Sequence, residues 1–72
     1  MPAEKLDIRI GALAVTKGFI TPEQLVEALI IQVNENLYQS KHRLIGEILL
    51  EKKYITIAQI NAVLEGMDIF EA

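Results

Sequence analysis

The sequence repeats itself at a spacing of 35 residues, and that repeat limits what the chain can fold into. Shifted by 35, Gly11 falls on Gly46, Lys17 on Lys52 and Phe19 on Tyr54. Ile20 then meets Ile55, Thr21 meets Thr56, Gln24 meets Gln59 and Leu29 meets Leu64. A unit that recurs in sequence predicts a structural unit that recurs, each copy covering the apolar face its neighbour leaves open.

Each copy reads as helix, sharp turn, helix. Ile10, Leu13 and Ala14, with Val15 at the edge, make an apolar stripe at i, i+3, i+4. Gly18 stands where a left-handed helix end is wanted. Thr21-Pro22-Glu23-Gln24 then announces a second helix: threonine as N-cap, proline first, glutamine as the reciprocal partner of a capping box. In the second copy Ile45, Ile48 and Leu49 form the stripe and Thr56-Ile57-Ala58-Gln59 the box, with Lys53 at the Gly18 position. The expected elements are helices at 7–17, 22–36, 43–52 and 57–66, with a polar connector at 34–42 carrying Ser40 at its tip. Phe19-Ile20 and Tyr54-Ile55 read as core plugs at the turns. The predicted fold class is all-α: one small four-helix domain of two αα-hairpins, about 7–36 and 43–67.

Seventy-two residues allow one domain, and a chain this short buries only about 60% of its unfolded surface. There is no cysteine, so disulfides and thiolate metal sites are absent as staples. Helices must therefore pack well, or a partner surface must finish the core; a homo-oligomer is one expectation. A chain 51% hydrophobic and 24% charged is not intrinsically disordered. No apolar run approaches the ~18 residues of a membrane span, so no membrane insertion is expected. The N-terminus lacks the layout of a signal peptide, and the cysteine-free composition fits the cytoplasm.

The second helix carries more apolar surface than one face needs. At 100° per residue, Leu29, Val33, Val26 and Ile30 lie within about 140° of Leu25, which predicts the buried arc. Ile31 falls at about 240°, on the side expected to be wet. Val26, Ile30 and Ile31 are therefore the candidate interaction surface for a protein partner or a second subunit.

Catalytic chemistry is poorly supplied. His42 is the single histidine, and Ser40-Lys41-His42 are sequence neighbours, whereas a nucleophile and its base converge from different elements. The four glycines form no phosphate loop, so the chain is not an ATPase by itself. The carboxylates show no metal-ligand spacing. The presumed recognition helix of a DNA-binding reading, 22–36, holds three glutamates and no Lys or Arg. With a net charge of −3 this argues against a nucleic-acid polymer as partner. Arg9 with the 41–43 and 52–53 clusters could still form a small basic patch for an anionic ligand.

The repeated string, Arg9-Ile10-Gly11 through Lys17-Gly18-Phe19-Ile20-Thr21-Pro22-Glu23-Gln24-Leu25 to Leu29 and Gln32, resembles the N-terminal domain of type II secretion and type IV pilus assembly ATPases. That family pattern runs Arg-Leu-Gly-x-x-Leu, Gly-x-Ile-Thr, Leu-x-x-x-Leu-x-x-Gln. The second copy from Ile45-Gly46 to Thr56 looks like the same element. The resemblance implies a bacterial protein that docks onto a secretion or pilus machine as adaptor or regulator, by binding and not by hydrolysis. It also implies an alternative, cyclic di-GMP binding through Arg9, Gly11, Gln32, Arg43 and Gly46. The second copy departs from the pattern, with Leu44 at the arginine position, Arg43 one residue early and Met67 at the glutamine position.

Overall fold

The computed structural model describes residues 2–71, with side chains from 7 to 66. Four α-helices follow one another: α1 (Pro2–Thr16), α2 (Pro22–Asn34), α3 (Ile45–Glu51) and α4 (Ile57–Glu71). A five-residue π-helical turn, Glu35–Gln39, prolongs α2. No strand occurs among the described residues, and the fold is all-α.

The helix ends differ from the sequence expectation in ways that have local causes. α1 begins at Pro2 instead of residue 7, because a proline lacks the N–H that a first helical residue would leave unpaired. The connector expected from residue 34 is largely helical, since 35–39 continue α2 as a π turn. Ser40 ends that turn in a left-handed conformation (φ +54), and Lys41 N–H donates to the Glu35 carbonyl at 3.1 Å. α3 is shorter than 43–52 because Leu44 is extended, with ψ 157. α4 runs through Gly66 to Glu71. Met67 lies beyond the described side chains.

The two sharp turns carry the same hydrogen bonds 35 residues apart. Gly18 N–H donates to the Val15 carbonyl and Phe19 N–H to that of Ala14. Lys53 N–H donates to Leu50 and Tyr54 N–H to Leu49 in the same way. This pair of bonds closes a helix through a left-handed residue, and both Gly18 (φ +79) and Lys53 (φ +65) are left-handed. Both predicted capping boxes form. Gln24 N–H donates to Thr21 Oγ1 at 3.1 Å and Thr21 N–H to Gln24 Oε1 at 2.9 Å. Thr56 and Gln59 repeat the exchange at 3.0 and 3.1 Å.

The core takes residues from every helix and both turns: Ala14, Ile20, Ala28, Ile45, Ile48, Leu49, Ile55 and Val63. Ile45, Ile48 and Leu49 are completely buried, as their stripe predicts. Burying an aliphatic side chain of that size contributes roughly 1.5–3 kcal/mol, so the short α3 is anchored by its apolar face. Gly11 is buried where α1 meets α2, and a β-carbon there would overlap Leu25 Cδ1. Gly46 faces Ile60 with more room, at 3.5 Å from the same hypothetical atom.

The orientation of α2 corrects the sequence reading. Ile31 is half-buried against the core, whereas Val26, Ile30 and Val33 are exposed. Ala28, Gln32 and Glu35 face inward with it. Polar residues are turned in here because the neighbouring elements bring partners for them.

Candidate functional site

A polar cluster lies where α1, α2 and the start of α3 meet. Asp7 is buried, and both of its oxygens are used. Oδ1 accepts the Ile45 N–H at 2.8 Å and Oδ2 accepts Gln32 Nε2 at 2.6 Å. The Gln32 amide also donates to the Arg43 carbonyl at 3.0 Å. The helix α3 needs this help, because Leu44 at its N-cap position has no acceptor to offer the first N–H groups. Glu47 reaches back to Leu44 N–H at 3.0 Å, completing half of a capping box.

Arg43 grips the first residue of the π turn, Glu35. Its Nε donates to Glu35 Oε1 at 3.0 Å, its second terminal nitrogen donates to Glu35 Oε2, and the first reaches Glu51 at 2.9 Å. The fork is bidentate, the geometry that makes a guanidinium–carboxylate pair strong. The hydrogen bond from Arg43 holds the Glu35 carboxyl below its ordinary range, against desolvation, which pushes it up. Arg43 is raised in turn, first by Glu35 and then by Glu51. On the other side of α2, Tyr54 donates its hydroxyl to Glu27 at 2.8 Å, and Lys52 Nζ lies 3.3 Å from the same carboxylate. Tyr54 is the main cause of a lowered Glu27 pKa, and Glu27 raises that of Tyr54.

This arrangement places the residues suggested for an anionic ligand. Gln32 and Arg43 meet in one cluster, engaged with Asp7, Glu35 and Glu51. Gly11 serves the approach of α1 to α2, and Gly46 that of α3 to Ile60. Arg9 is exposed and lines a shallow depression with Ala12, Leu13 and Thr16. Asp7 and Arg9, two residues apart on a helix, point about 200° from each other. The structure therefore does not bring Arg9 onto the inward face that carries Asp7. Of the basic patch, Arg43 and Lys52 are paired with carboxylates. His42 Nδ1 lies 2.9 Å from Asn36 Oδ1 on the surface. No group of three or more His, Cys, Asp or Glu suited to a metal ion occurs among the described residues.

The other distinctive surface is apolar. Val26, Ile30 and Val33 line the outer side of α2, each more than half exposed, and with Leu29 and Asn34 they border an open groove of about 250 Å³. Leu37 (68% exposed) and Tyr38 (79%) follow on the π turn. Of the expected interaction residues, Val26 and Ile30 lie on this face and Ile31 does not. Val33, Leu37 and Tyr38 were missed, although Val26, Ile30, Val33 and Leu37 recur at i, i+4, i+7 and i+11. That periodicity was the available signal. Asp7 had no signal at all, since its partners are set by tertiary packing.

No helix among the described residues is long and apolar enough to cross a membrane. The chain matches no protein-family model, no curated protein and no solved structure.

Proposed function

We propose that the chain is a non-catalytic helical interaction module of the bacterial cytoplasm, an adaptor or regulator working by protein–protein contact. In this reading it is similar to the N-terminal domain of secretion and pilus ATPases, and its contact face is the outer side of α2. The observation that supports it is the apolar row Val26, Ile30, Val33, Leu37 and Tyr38, all more than half exposed. A contiguous apolar patch on so small a chain marks a site of association, and a tyrosine at its edge suits an interface anchor.

The cyclic di-GMP alternative would need Gln32 and Arg43 to leave Asp7, Glu35 and Glu51. Photo-crosslinking in the producing cell tests the contact reading. A photoreactive residue at position 30 should give discrete protein adducts that one at Ile57, exposed on α4, does not give. Equal labelling from both positions overturns the reading. So does calorimetry that finds stoichiometric cyclic di-GMP binding abolished by Arg9→Ala.

A further inference from the structure

We propose that the α2 face is covered by a second copy of this chain, paired antiparallel about a two-fold axis between residues 31 and 32. The proposal rests on the reading of that face as the contact surface, and two observations carry it further.

The first is spacing. Val26, Ile30, Val33 and Leu37 are separated by four, three and four residues. That pattern is the alternating seam of a helix pair packed knobs into holes. It is also palindromic. Turned end for end about its midpoint, Val26 meets Leu37 and Ile30 meets Val33, so every member of the row faces another. A two-fold interface must be self-complementary in this way.

The second is charge. Glu23 is exposed one turn before the row, and Lys41 is exposed just beyond its other end. The antiparallel arrangement that pairs Ile30 with Val33 brings the Glu23 end of one copy beside the Lys41 end of the other, where Lys41 follows the last helical residue, Gln39. A parallel pairing would set Glu23 on Glu23 and Lys41 on Lys41, which is unfavourable. Opposite charges at the two ends of one apolar row thus select the antiparallel arrangement.

One helix face is a small interface, at the low end of what supports a stable dimer, so self-association is expected at about micromolar concentrations.

Sedimentation equilibrium from low micromolar to near-millimolar concentration tests the pairing. The weight-average mass should climb from 8.1 kDa towards twice that value. Ile30→Glu should remain monomeric with an unchanged helical spectrum, because Ile30 lies outside the core. Glu23→Lys and Lys41→Glu should each weaken the dimer about two- to fivefold, and the double variant should restore it. A wild-type chain that stays monomeric throughout overturns the pairing, and so does a double variant no better than the singles. If the chain is monomeric and the position-30 crosslinks are to a different protein, the second copy is overturned while the contact face stands. If position 30 yields no specific adduct and the chain is monomeric, both fall.

Discussion

Asp7 and Ile45, 38 residues apart, are joined by a 2.8 Å hydrogen bond from the Ile45 N–H to the buried Asp7 carboxylate. One helix thereby caps another. The N-cap position of α3 is held by Leu44, whose side chain cannot accept a hydrogen bond, and the orphan donor is satisfied from α1. The same carboxylate holds Gln32, so α1, α2 and α3 share one polar junction.

Removing that carboxylate leaves the Ile45 N–H and the Gln32 amide short of a partner in a buried site. Asp7→Ala is expected to lower unfolding stability by about 1–3 kcal/mol, the cost of an unsatisfied buried group. Asp7→Asn should cost less, since it keeps one acceptor for Ile45, but its own amide then opposes that of Gln32. Urea denaturation checks both. The midpoint should fall with an unchanged slope, and an Asp7→Ala variant as stable as wild type would remove the junction from any role in holding the helices together.

Lys53 is a non-glycine residue at φ +65, in the position that Gly18 occupies at φ +79 in the other turn. A β-carbon in that region costs roughly 1–2 kcal/mol, and a glycine gives part of it back through the greater freedom of the unfolded chain. Lys53→Gly is therefore expected to stabilise by about 0.5–1 kcal/mol, read as a rise in thermal midpoint. The converse exchange, Gly18→Lys, should lower it.

The parts of this fold that were legible in the sequence are those whose physics is local. Thr21 with Gln24 and Thr56 with Gln59 declare their caps within four residues, and Gly18 declares its turn alone. The stripe Ile45, Ile48, Leu49 was legible because α3 has only one apolar face. The roll of α2 was not, because apolar residues occur around most of its circumference. Which side turns inward is decided by Asp7 and Arg43, remote residues that give Gln32 and Glu35 a reason to be buried. Treating every polar residue as solvated therefore placed Ile31 on the wet side, and grouped it with Val26 and Ile30 as one contact surface, whereas Ile31 turns towards the core.

The Glu35–Arg43 pair sets a pH dependence. The hydrogen bond from Arg43 lowers the Glu35 pKa from its ordinary value of 4.5. A carboxylate depressed in the folded state stabilises fully above its unfolded value, and that contribution is lost as the pH falls through the lower folded value. Glu27, lowered chiefly by Tyr54, acts in the same sense. Stability should thus decline with acid below about pH 4.5, beyond the trend from general charge. Glu35→Gln should be less stable than wild type at neutral pH and should show a shallower decline below that point. Parallel acid profiles for the two proteins would mean that the pair does not contribute.

Gly11 and Gly46 occupy equivalent places in the two copies and make opposite predictions. Gly11 lies inside α1, where alanine is favoured over glycine by about 0.8–1 kcal/mol, and Gly46 is the second residue of α3, where the preference is smaller. At Gly46 the new methyl would sit 3.5 Å from Ile60 Cδ1, an ordinary contact, so Gly46→Ala should gain part of that preference. At Gly11 the methyl overlaps Leu25 Cδ1, and Leu25 already packs against the core. Overpacking of this kind costs typically 1–3 kcal/mol, which offsets or exceeds the helix gain. Gly46→Ala is therefore expected to melt above wild type, and Gly11→Ala to melt below Gly46→Ala by a margin of about 1–3 kcal/mol. Equal melting of the two variants would show that Leu25 yields freely and that α1 and α2 are not held at their closest approach by the missing side chain of Gly11.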